Sequence, residues 1–220
     1  MAIKPILFNT EMVRAILDGR KTCTRRLLKG PFTVHPNGYI TKPRGNENLC
    51  PYEPPYQPGD ILYVRETWER FECCNCEGDE RGFCPKEPQK NVLDKHSCGC
   101  YMYRATDEIR GDAKWHPSIH MPKEAARIWL KVTDVRVERL QEITVDDCHR
   151  EGINIETSAV TDGETLNRNH DFSLEKFESL WDLTVKKSDL DRYGWGANPW
   201  VWVIEFERCK KPEEGERWEG

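Results

Sequence analysis

The sequence predicts an α+β fold built on a small β-barrel. Three observations carry this: about six segments rich in β-branched, aromatic or alternating residues, only three short helical patterns among them, and no regular strand–helix–strand succession. A chain of 220 residues is long enough for one well-buried core, or a core with a small appended module. No internal repeat is present.

The elements follow in order. Residues 3–8 read as a short strand, and Asn9 or Thr10 caps a helix with Met12, Val13, Ile16 and Leu17 on one face. Gly19 ends that helix by supplying a left-handed residue, and 22–28 continue extended. Two alternating runs around Pro36, Asn37 and Gly38 predict a hairpin. Pro51, Pro54, Pro55 and Pro58 mark an irregular connection, closed by a turn at 57–60 that leads into a strand at 61–68.

Residues 101–105 resume as a strand after a cysteine-rich stretch, and 127–140 form a long, half-buried one. A short helix is expected at 144–151, with Thr144 and Asp147 as a capping pair. The polar, aperiodic stretch 152–171 is expected as a mobile loop, and Ser173 as the cap of a helix burying Leu174, Phe177, Leu180 and Trp181. Residues 200–206 form the closing strand. The barrel domain is therefore expected at 1–71 and 101–209, with an insert at 72–100 and an acidic tail at 210–220.

Composition excludes some functions. No apolar run approaches the roughly 20 residues that span a bilayer, and the N-terminus lacks a secretory apolar region, so a cytoplasmic protein without a membrane partner is expected. A net charge of −5 argues against indiscriminate coating of nucleic acid. Charge is uneven, however: no acid lies between Asp18 and Glu47, while Arg20, Lys21, Arg25, Arg26, Lys29, Lys42 and Arg44 do. That interval is either a local anion site or a solvated basic face.

Ten cysteines call for an explanation under reducing conditions. Cys23, Cys50, Cys148 and Cys209 are scattered, whereas Cys73, Cys74, Cys76, Cys84, Cys98 and Cys100 crowd together with His96. The intervening residues are too polar to form a core, so a structural zinc held by four thiolates is expected. Cys73, Cys76, Cys84, Cys98 and Cys100 are the foremost ligands. Spacing leaves open which four bind, and free thiols or a redox site are the alternatives.

The segment GRKTCTRR, residues 19–26, carries the densest chemistry. In an extended chain Thr22, Thr24 and Arg26 share one side, and Lys21, Cys23 and Arg25 the other. Hydroxyls and guanidinium forks there suit a phosphate or carbonyl ligand, with Arg20, Thr22, Arg25 and Arg26 as anion-binding candidates. A polar strand edge guarded by charge is the alternative.

AILDGRKTCTRR (15–26), QPGDILYVRETW (57–68), the long strand at 127–136 and the closing strand at 200–206 together resemble the ASCH domain. NPWVWVIEFER and WHPSIHMPKEAARIWLKVTDVRVERL further resemble the larger ASCH-like proteins of phages and prophages. The resemblance covers most of the chain outside the cysteine insert and 152–171. It implies a PUA-like β-barrel with a cleft for RNA, DNA or a modified nucleoside. Nucleic-acid or nucleotide binding is therefore the first expectation, with Trp68, Trp115, Ser118 and His120 as further cleft residues.

Some small ASCH proteins are amidohydrolases that remove an acyl group from the exocyclic nitrogen of cytidine through a Lys, a Thr and a Glu. Lys21 and Thr24 match the first two, and Arg26 matches a neighbouring Arg. The place of the Glu is taken by Leu130, Lys131 and Val132, and Glu66 is the candidate substitute. The alternative expectation is thus deacylation of an N4-acetylcytidine-like nucleoside. Lys21, its pKa lowered by neighbouring cations, would act as base or nucleophile, Thr24 at the acyl carbon and Glu66 as proton relay. The competing role for Glu66 is a structural ion pair with Arg65 or Arg26. An RNA nuclease has only His116 and His120 to support it.

Overall fold

The computed structural model describes residues 1–44, 48–72, 99–108, 114–153 and 163–212. The architecture is α+β, with strands dominating. In chain order the first half contains β1 (Ile3–Leu7), α1 (Thr10–Leu17), β2 (Cys23–Leu27), β3 (Thr33–Val34), β4 (Ile40–Arg44), β5 (Asn48–Pro51), β6 (Ile61–Arg65) and β7 (Trp68–Glu72). Then follow β8 (Gly99–Tyr103), β9 (Trp129–Arg139), α2 (Val145–Arg150), α3 (Gly163–Thr184), α4 (Leu190–Tyr193) and β10 (Trp200–Cys209).

The described residues form two compact units interleaved along the chain. The first is drawn from Met1–Ala2, Ala15–Asp60 and Lys131–Glu207, the second from Ile3–Arg14, Ile61–Leu130 and Arg208–Gly220. In the first, β10 lies between β9 and β2, pairing antiparallel with β2 from Val201↔Leu27 to Glu205↔Cys23. A separate antiparallel meander, β3-β4-β5, belongs to the same unit. Its core gathers Leu140, Ile143, Cys148, Phe177, Trp181, Val201 and Val203. In the second unit β1 pairs parallel with β6, β7 pairs antiparallel with β8, and Tyr63, Tyr101, Tyr103, Met121 and Trp129 form the core.

Local signals explain the elements that carry the site. Asn9 caps α1 by accepting from the Met12 amide at 2.8 Å. Gly19, at φ +77°, lets the chain reverse, so that the Arg20 and Lys21 amides both donate to the Ala15 carbonyl. The reversal delivers Lys21 to the interior instead of to solvent. Thr144 and Asp147 form the expected capping box at the start of α2, and Gly152, at φ +92°, follows its end.

Three expectations are corrected. The strand at 61–68 breaks after Arg65, because the Trp68 backbone exchanges both hydrogen bonds with His116. The proline-rich connection carries no strand or helix over residues 52–60, as expected, and β5, which pairs with β4, ends at Pro51 where that connection begins. Within 152–171, residues from Gly163 onward are helical, and the rest of that stretch to 162 falls largely outside the described residues. Ser173 consequently sits inside the 22-residue α3 and is buried instead of capping it. Phe177 and Trp181 anchor that helix, and helix propagation from an anchored stretch is far easier than nucleation, so a weakly periodic flank joins it. The pairings among the described residues close no barrel. No helix among them is long and apolar enough to cross a membrane.

Candidate functional site

GRKTCTRR folds into a buried charge cluster of the first unit. Lys21 is only 2% exposed. Its ammonium donates to the Cys23 carbonyl at 2.8 Å, the Glu151 carbonyl at 2.8 Å and Glu151 Oε2 at 2.7 Å. Three N–H bonds thus meet three acceptors, the full capacity of the group. What Lys21 meets is a carboxylate, so the crowding by like charge that the sequence suggests does not describe its environment.

Arg25 lies beside it, buried, and shares Glu151 through Oε1 at 3.4 Å. It also reaches Glu138 and Asp147, each at 3.2 Å. The pairing continues outward: Arg136 bonds Glu138 and Glu205, and Arg150 bonds Glu205 at 2.6 Å. Burial alone would disfavour the charge on Arg25, but Glu151, Cys23, Asp147 and Glu138 outweigh it and raise its pKa. Burial, reinforced by Glu151, pushes the Cys23 thiol up to about 12, and burial likewise pushes Cys148 to about 12.

Cys23, Thr24 and Arg25 are all buried, so β2 is enclosed on both sides and its alternation does not sort residues into a wet and a dry face. Arg26 is half-buried near Tyr56, where burial lowers the arginine pKa and raises the tyrosine pKa. Thr22 is half-buried, its amide bound to the Arg150 carbonyl. Arg20 is exposed and donates to the Gly152 carbonyl and to Asp18.

Glu66 belongs to the second unit. It is 1% exposed, and Arg127 grips it through Nε and Nη2, each at 2.9 Å. The guanidinium also lies 4.0 Å from the centre of the Tyr103 ring. Burial raises the Glu66 pKa and Arg127 opposes it. Its partner is therefore Arg127, neither Arg65 nor Arg26, and it occupies an ion-pair position. Trp68 packs against the second core, with His116 at 5.1 Å between ring centres and Tyr101 edge-on at 5.6 Å. Trp115 and Ser118 are half-buried, and His120 is exposed at the end of a short 3₁₀ turn, Ser118–His120.

The structure thus brings Lys21 and Arg25 into one buried cluster, buries Thr24 between them along β2 without a contact to that cluster among those described, and leaves Glu66, Trp68, Trp115, Ser118 and His120 to the other unit. It also supplies residues that sequence reasoning missed, Glu151 above all, with Glu138 and Asp147. The available signal was the capping box, which sets where α2 begins, together with Gly152, which marks where the chain leaves it; Glu151 stands between.

The basic interval divides in two. Lys21 and Arg25 are consumed by carboxylates, whereas Lys29, Lys42 and Arg44 are exposed and make no ion pair among the described residues. For the zinc expectation, Cys73, Cys76, Cys84 and Cys98 lie outside the described residues, and Cys100 falls on β8, opposite Phe71. Among the described residues no group of three or more His, Cys, Asp or Glu side chains is placed to hold a metal. Comparison with known proteins finds no family model, no curated protein and no solved structure that matches this chain.

Proposed function

We propose that this chain is an ASCH-type, PUA-like protein that binds nucleic acid or a nucleotide on the basic surface of its first unit. The carrying observation is the division of cations: the buried cluster neutralises its own, and Lys29, Lys42 and Arg44 stand exposed without a carboxylate partner among the described residues. Exposed cations in an acid-poor surface favour phosphate. The four segments that resemble ASCH proteins supply β2, β6, β9 and β10, which supports the family reading.

Titration of labelled RNA and DNA at increasing salt tests it. Contacts from three cations predict a slope of log K against log salt of about −2 to −3. Absence of binding to every nucleic acid and nucleotide at low salt refutes it.

One observation favours the amidohydrolase as a second reading: Glu151, 2.7 Å from Lys21, is a carboxylate of the kind missing at positions 130–132 of the long strand. Lys21 is sealed, so this reading requires the pair to open before substrate reaches Nζ. Incubation with N4-acetylcytidine decides it, since absence of cytidine across a pH series removes it. A structural zinc on four of Cys73, Cys76, Cys84, Cys98 and Cys100 completes the proposal, and metal analysis showing less than about half an equivalent in folded protein removes that part.

A further inference from the structure

The β3-β4-β5 meander carries more than charge. Tyr52, next after β5, donates its amide to the Ile40 carbonyl at 2.9 Å and its hydroxyl to the Lys29 carbonyl at 2.7 Å. Its ring is thereby held parallel to Trp202, with centres 6.1 Å apart and planes 6° apart, while the Lys42 ammonium sits 5.2 Å from its centre. Tyr39, in the hairpin, is 48% exposed and leans on His35 at 5.9 Å. A cleft on the same meander is lined by Lys42, Pro43, Arg44, Cys50, Pro51 and Glu53.

An exposed ring, Tyr39, near exposed point charges matches what an unpaired strand offers. Every base has a π-face for a flat side chain, and the phosphates between bases meet the cations. A duplex hides those faces in its own stack, so rings on a sheet contribute little to binding it. β4, at five residues, spans about 16 Å, room for a few nucleotides. Glu53 is the single carboxylate in the lining, and two exposed cations, Lys42 and Arg44, accompany it.

We propose that this meander is a binding site for single-stranded nucleic acid, with Tyr39 as the stacking platform and Lys29, Lys42 and Arg44 as phosphate contacts, Lys42 being positioned over the Tyr52 ring. The proposal rests on the nucleic-acid reading above and names its surface and its partner.

Fluorescence anisotropy with the full chain tests it, using a labelled single strand of about twelve mixed nucleotides and the duplex made from it, at about 50 mM salt. The single strand is expected to bind at least about tenfold more tightly. Tyr39→Ala should weaken it about 5- to 100-fold without changing the salt slope. Lys42→Glu with Arg44→Glu should weaken it and lower the slope by about 2. These side chains are exposed, and unchanged thermal midpoints will confirm that the variants fold. Equal or tighter binding of the duplex, still sensitive to the charge reversals, overturns the single-strand assignment and leaves the nucleic-acid reading intact. Binding that ignores both variants overturns the site. No binding of either probe overturns both proposals.

Discussion

Lys21→Met tests whether the cluster is a scaffold. The substitution keeps the aliphatic stem and removes an ammonium that satisfies Glu151 Oε2 and two carbonyls in a site closed to water. Each buried acceptor left bare costs about 1–3 kcal/mol, and breaking a buried ion pair from one side costs about 3–5 kcal/mol in all. Arg25 remains to hold Glu151 at 3.4 Å, which places the expected loss near the lower figure, about 3 kcal/mol. Urea unfolding of parent, Lys21→Met, Glu151→Leu and the double variant completes a cycle. The double variant should be less destabilised than the summed singles by at least about 1 kcal/mol, because it leaves no unpaired charge at the Lys21 contact. A Lys21→Met loss below about 1 kcal/mol, or strict additivity, refutes the reasoning. Nucleic-acid affinity of the folded variant should match the parent, since Lys21 is buried away from solvent; a large loss would make it a ligand contact.

Three further outcomes follow from the same region. Gly152→Ala should destabilise by at least about 2 kcal/mol, because φ is +92° and an added Cβ would lie 2.7 Å from the Ala15 Cβ; a thermal melt within 1 °C of the parent contradicts it. Cys23 and Cys148, with thiols at about 12, should resist alkylation at pH 8 in native protein and react after unfolding, as read by peptide mass. Their folded pKa values exceed the ordinary 9.0, so the unfolded chain loses its thiol protons first and stability should fall as pH rises above about 9. On the acid side, hydrogen bonding to Arg150 holds Glu205 below its ordinary 4.5. For Asp147, burial is outweighed by the Thr144 amide and Arg25, which hold it below 3.8. Both contributions are whole above the ordinary values and drain away as pH falls through the folded ones, so urea midpoints should decline below about pH 4.5; a rise there contradicts the assignment.

Most of the strands and helices were legible because their signals are local. Asn9 and Gly19 bound α1, Pro36-Asn37-Gly38 turns the hairpin, and Thr144 with Asp147 starts α2; each acts within a few residues of chain. The helical start at Gly163 was not legible, since its support comes from Phe177 and Trp181 packing into a core assembled from distant segments. The site divides in the same way. That Lys21, Thr24 and Arg25 stand together in an interval with no acid between Asp18 and Glu47 follows from the sequence alone. Which of them keep their charge available was decided by tertiary structure, because Glu151 lies 130 positions from Lys21 and Glu138 lies 113 from Arg25. Charge pairing is a property of distance in space, and only the folded chain sets those distances. It withdraws Lys21 and Arg25 into the interior and leaves Lys29, Lys42 and Arg44 facing water.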